Sequence, residues 1–265
     1  MRSADDLGAI ALTTDDSPAW RRIGEAALAS AVRQYASIGT QLASLDSIRA
    51  LPPNALAALQ GQPDRAPMNV SLLERSLVDA FALLARLWPA AEREARYFVR
   101  AVIACTLPPG RQASGSSELC PFAVRIDFCA EDPSHLLADA LVHEAAHVKL
   151  RLSGIARDLC VHDDPHTLHH PWRPEARPIA GVLVACHAFV AIHGFHVRRA
   201  LLTGNEDAVR FEARLRTEVA EALTALGNAA DRLTSLGRAF AIRLEQGFAC
   251  NRELLDAQPA IEVQL

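Results

Sequence analysis

The sequence predicts a mainly α protein with a small β-sheet (α+β), a multi-helix domain carrying an HExxH metal-binding helix. Three observations predict it. Apolar residues recur at spacings of three and four over most of the chain, two short stretches near the middle alternate instead, and His143-Glu144-Ala145-Ala146-His147 lies on a helical segment.

Residues 18–49 read as the first helix. Ser17 caps it, Pro18 suits its first turn, and Leu28, Ala31, Tyr35, Ile38, Leu42 and Leu45 form one stripe until Pro52-Pro53 interrupts. A second helix is expected from Ser71 to Leu87, broken at Trp88-Pro89. Residues 97–107 and 122–128 are rich in β-branched and aromatic side chains and read as a two-stranded sheet. The prolines, glycines and serines between them, residues 108–117, read as a loop. Asp132-Pro133 then starts a helix that runs to about Leu152 and stops at Gly154. Residues 155–178 read as a polar, proline-containing loop. Helices follow at 180–202, 206–234 and 238–255, with Gly204 and Gly237 as breaks. No internal repeat is visible. The chain is read as one domain, residues 1–265, with an N-terminal helical scaffold (1–96), a metal-site region (97–203) and C-terminal helices (204–265).

Composition bounds the function. Half the 265 residues are apolar, enough for a substantial core, and the formal net charge is only -4. No basic excess marks a nucleic-acid surface. None of the six cysteines forms a C-x-x-C pair, which argues against a cysteine zinc site. The acidic start, MRSADDLGAI, does not resemble a signal peptide, and the longest apolar run, residues 181–195, is short for a membrane span and carries His187 and His193. The expectation is a cytoplasmic protein with no membrane partner, whose reduced cysteines mostly pack as small buried side chains.

The histidines carry the functional signal. All ten lie between His135 and His196. Four-residue spacing on a helix puts His143 and His147 about 40° apart around the axis and one turn apart in height, so both rings can reach one ion. Neutral imidazole suits zinc, iron, copper or nickel, so the motif does not name the metal.

A site needs a third ligand. The H-E-x-x-H-x-x-G-x-x-H peptidase pattern is excluded, because positions 150 and 153 hold Leu150 and Ser153. Glu175 is a second candidate, but it lies in the proline-rich segment 171–178. His187 is the favoured one: it sits on a predominantly apolar helix, where a buried ring needs a partner and a metal is a good one. The plainer reading is a hydrogen-bonded core histidine. His193 and His196 point about 120° and about 180° away from His187 on an ideal helix, which favours ordinary hydrogen-bonded or surface roles. His162, His166, His169 and His170 fall in a loop, where one could line the site and most are solvated.

His143-Glu144-Ala145-Ala146-His147-Val148-Lys149-Leu150, then Pro171-Trp172-Arg173-Pro174-Glu175-Ala176-Arg177-Pro178, then Gly181-Val182-Leu183 and Cys186-His187-Ala188-Phe189 together resemble the HExxH motif-containing peptide-modification proteins of ribosomal-peptide (RiPP) gene clusters. The resemblance covers roughly residues 120–200. It implies an Fe(II)- and 2-oxoglutarate-dependent oxygenase that uses O2 to hydroxylate a side-chain carbon of a precursor peptide. It also implies a carboxylate anchor for 2-oxoglutarate, for which Arg173 and Arg177 are the candidates; the plainer reading of each is a structural salt bridge or loop anchor. Glu144 would orient a ligand under this reading and act as general base in a zinc metallopeptidase. The usual oxygenase facial triad contains a carboxylate, so three histidines would depart from it. The alternatives are a zinc peptidase cleaving a leader, with the strand at 122–128 pairing with an extended substrate, and a non-catalytic peptide-binding protein stabilised by a structural metal. The sequence leaves oligomeric state and target residue open.

Overall fold

The computed structural model describes residues 49–51, 70–105, 114–117, 120–127, 134–162 and 164–257. The helix expected at 18–49 lies outside them except at its last residue, as do Asp132 and Pro133. The described chain is mainly α with a small β component, and it divides into two compact units, residues 1–154 and 155–265. The boundary falls inside the region 97–203 that the sequence reading grouped around the metal.

In the first unit, α1 (Val70–Leu87) buries Leu73, Leu77, Ala80, Phe81, Leu84 and Leu87, the three-and-four spacing of a one-faced helix. Trp88 leaves the helical conformation (φ -153°, ψ 80°) and Pro89 opens a new helix, α2 (Pro89–Phe98), where its missing N–H costs nothing. Tyr97 and Phe98, expected in a strand, belong to this helix because its apolar face ends on buried Phe98. The expected two-stranded sheet has four strands, β1 (Arg49–Leu51), β2 (Ala101–Cys105), β3 (Ser114–Ser117) and β4 (Cys120–Asp127), in the order β1-β2-β4-β3. β2 is parallel to β1 and β4, and β3 is antiparallel to β4. Ala101, Val102 and Ile103 are all buried, as expected of a strand covered on both faces. β3 replaces the expected loop. Its serines carry no alternation, so the ladder to β4 rather than local preference makes it a strand.

α3 (Ser134–Ser153) carries the HExxH segment and packs on α1, α2, β3 and β4. Lys149 (2% exposed) forms an ion pair with Glu94 of α2 (8% exposed). Two residues separate Lys149 from His147, about 200° around the helix, so the anchor and the imidazoles take different faces. Gly154, at φ 69°, ends α3 in the left-handed conformation that glycine tolerates.

In the second unit a 3-10 turn (Ala156–Asp158) leads to an antiparallel hairpin, β5 (Thr167–His170) and β6 (Arg173–Pro178). The expected loop at 155–178 is therefore partly ordered as sheet. The helices α4 (Ile179–Thr203) and α5 (Glu206–Asn228) start as expected, but α6 (Ser235–Asp256) starts three residues early, capped by Thr234, so Gly237 lies in its first turn rather than breaking the chain; α5 stops earlier than expected, and a 3-10 turn (Ala230–Arg232) takes its place. The ends are chemically marked. Gly204 closes α4 at φ 56°, the Asn205 side chain accepts from the amides of Asp207 and Ala208, and Thr234 Oγ1 accepts from Gly237 N at 3.0 Å. α4 packs against both α5 and α6, and Asn251 Nδ2 donates to Val190 O at 3.1 Å. By length and composition α4 is apolar enough to cross a membrane, longer than the apolar run suggested, and 67% of that apolar stretch is buried inside the protein.

Candidate metal centre

The HExxH geometry follows from α3 alone. One helical turn brings His143 Nε2 and His147 Nε2 to 2.9 Å, with ring centroids 4.5 Å apart and planes at 81°. Imidazole nitrogens sharing one ion at about 2.1 Å stand about 3.0–3.4 Å apart, so the pair needs an opening of only a few tenths of an ångström to accept it. The His143 side chain is 21% exposed, so the pair is reachable from solvent. Glu144 is buried next to His143: it is 1% exposed, its Oε1 is 3.9 Å from His143 Nε2, and its Oε2 is buried with no hydrogen-bond partner. An orphaned buried carboxylate oxygen is costly, and a cation or a proton near His143, 3.9 Å from the other oxygen of the same carboxyl, would offset that cost. These residues fit a metal. Among the described residues, no group of three or more His, Cys, Asp or Glu side chains comes together, so the imidazole pair is a two-ligand beginning.

No family model matches the chain, and no curated protein does.

The other predicted residues lie in the second unit. His187 of α4 is 1% exposed, with its ring 5.5 Å from that of Phe240. Beside it, burial pushes the Cys186 thiol up to about 12, so it stays protonated. His193 Nε2 donates to Glu212 Oε1 at 3.0 Å, both fully or nearly buried, with Arg216 Nε 3.7 Å from the same oxygen. His193 is thus a hydrogen-bonded core histidine, and His196 is buried against Phe195 and Phe211. Glu175 is exposed on β6 rather than in a loop.

Arg173 and Arg177 are on β6. Arg173 stands opposite His170 in the ladder and Arg177 opposite Leu168. The Arg177 side chain lies along the first turn of α4, its Cβ and Cδ 3.8 and 3.9 Å from where a Gly181 Cβ would sit. Neither arginine has a carboxylate partner among the described residues. Trp172 stacks on Phe189 of α4, centroids 3.8 Å apart and planes 2° from parallel, which fixes the hairpin turn on the helix. Of the four loop histidines, His162, His166 and His169 are exposed, while His170 is buried. Sequence reasoning gave His170 no separate weight; its position directly before Pro171-Trp172 was the available signal.

Proposed function

We propose that this chain is a metal-dependent enzyme that modifies a ribosomally synthesised peptide by Fe(II)/2-oxoglutarate-dependent hydroxylation of a side-chain carbon. The observation that carries the metal assignment is the 2.9 Å approach of His143 and His147 Nε2, with the buried Glu144 carboxyl 3.9 Å from His143 Nε2. The resemblance described above carries the choice of iron and 2-oxoglutarate. His143 and His147 would hold the ion, and His187 stays the sequence's candidate for the third ligand. Bound iron(II) supplies the redox chemistry by which O2 gives one oxygen atom to the C–H carbon and one to 2-oxoglutarate, yielding succinate and CO2. Arg173 and Arg177 take the far carboxylate of 2-oxoglutarate through charge-assisted, two-pronged hydrogen bonds. Glu144 accepts a hydrogen bond or a proton at Oε2 and so orients the groups around His143. The assigned compartment is the cytoplasm.

A second reading, a zinc peptidase, is favoured by one feature of the first unit. β4 is paired on both sides and cannot receive a substrate strand, contrary to the role considered for residues 122–128. Among the described strands β3 lies at the sheet edge, however, and Arg151 Nη2 of α3 donates to its Ser116 O at 3.4 Å. An extended peptide added to that edge would run alongside the HExxH helix, with Glu144 as general base.

The test loads anaerobically purified full-length chain with iron(II), then adds 2-oxoglutarate, O2 and candidate precursor peptides. The proposal expects succinate in step with a one-oxygen mass gain on the peptide. Peptide shortening with zinc and no 2-oxoglutarate would establish the peptidase instead.

A further inference from the structure

His170 ends β5 at 6% exposure, and neither of its ring nitrogens has a hydrogen-bond partner. The indole Nε1 of Trp172, two residues on, is also buried without a partner. The two rings are 5.6 Å apart, and stacking on Phe189 holds the indole in place. Native structures rarely leave three polar atoms of adjacent rings unsatisfied unless a bound group or an ordered water satisfies them. The surroundings state the sign of that group. Burial first, then the charges of Arg177, Arg173 and His169, lower the His170 pKa, so the ring is neutral and keeps one N–H donor. Among the described residues neither guanidinium has a carboxylate partner, and the acidic residue between them, Glu175, is exposed and pairs with neither. A partly buried cluster with two cations that have no carboxylate partner among the described residues, and two spare ring N–H donors, is short of an anion with several acceptor oxygens.

We infer that His170 and Trp172 contact a ligand, each donating a hydrogen bond to the carboxylate of a small dicarboxylic acid held by Arg173 and Arg177. This rests on the reading of those arginines as a carboxylate anchor. It adds His170, which the motif does not include, gives a role to Trp172, which the motif holds without one, and makes the hairpin turn, not the arginines alone, the selective element. A neutral imidazole and an indole favour a planar, multiply accepting carboxylate by directed hydrogen bonds, whereas guanidiniums supply the charge.

Calorimetric titration of the full-length chain as purified tests it, with 2-oxoglutarate, succinate and inorganic phosphate as probes. Wild type is expected to bind both dicarboxylates. His170→Leu and Trp172→Phe are each expected to weaken binding about 10-fold, the loss of one hydrogen bond to a charged group. Trp172→Phe retains an aromatic ring to stack on Phe189, so its effect reads the N–H alone, and hydrogen exchange across β5–β6 checks that the hairpin persists. Variants that bind like wild type, while Arg173→Gln and Arg177→Gln do not, would overturn the inference and leave the arginine anchor standing. A wild type that binds neither dicarboxylate would overturn the anchor itself. Phosphate binding as tight as succinate would overturn the dicarboxylate assignment.

Discussion

Lys149 and Glu94 offer a test of what holds the HExxH helix in place. Their side chains are 2% and 8% exposed, so water screens the pair little. Lys149→Met removes the cation and leaves a buried carboxylate on α2 with its desolvation uncompensated. Breaking a buried pair in this way costs about 3–5 kcal/mol, against about 0–1 kcal/mol for an exposed pair. Replacing both partners, Glu94→Leu with Lys149→Met, removes both charges and fills the same space with apolar atoms, so it is expected to fall within about 1 kcal/mol of wild type. The assay is urea unfolding of the four chains of the cycle, with hydrogen exchange of peptides from α2 and α3 to assign the loss to this unit. The spacing of His143 and His147 is internal to one helical turn, so the fraction that remains folded should bind metal as wild type does. A single-variant loss under about 1 kcal/mol, or a double variant as unstable as Lys149→Met, would refute the reasoning.

Two further outcomes follow from the second unit. A Cβ on Gly237 would lie 1.8 Å from Leu159 O and 2.8 Å from its carbonyl carbon, and that carbonyl already accepts from Thr234 N. Gly237→Ala is therefore expected to lose about 2–3 kcal/mol by forcing the 156–161 segment off the start of α6, read as a fall in Tm. His170 titrates below its ordinary value of 6.5 in the folded chain. The unfolded chain thus binds a proton that the folded chain refuses as pH falls through about 6.5, and stability contributed by this ring is present above that pH and lost below it, down to the folded pKa. Urea midpoints measured between pH 7.5 and 5 should fall less steeply for His170→Leu than for wild type.

The helices were legible because their signals are local. α1 shows its stripe from Leu73 to Leu87, and α4, α5 and α6 begin or end on Gly204, Asn205 and Thr234, whose capping chemistry needs no distant partner. β3 was not legible. Ser114, Gly115, Ser116 and Ser117 form a strand because β4 supplies the ladder and the Arg125 guanidinium lies over Gly115, with Nη2 3.3 Å from where a Cβ would sit. The β5–β6 hairpin was hidden by Pro171, Pro174 and Pro178, which read as loop; a bulged register and the Trp172–Phe189 stack accommodate them. The site divides the same way. His143, Glu144 and His147 are one turn of one helix and could be read directly, whereas the pairing of His193 with Glu212, 19 residues away on another helix, and the burial of His170 depend on packing that no spacing encodes.

Metal content and ligation test the central claim most directly. Full-length wild type should take up one iron(II) per chain, with X-ray absorption showing imidazole nitrogens at about 2.1 Å. His143→Ala and His147→Ala should each abolish that uptake without unfolding the chain. Uptake unchanged in either variant, or an absorption spectrum without imidazole scattering, would contradict it.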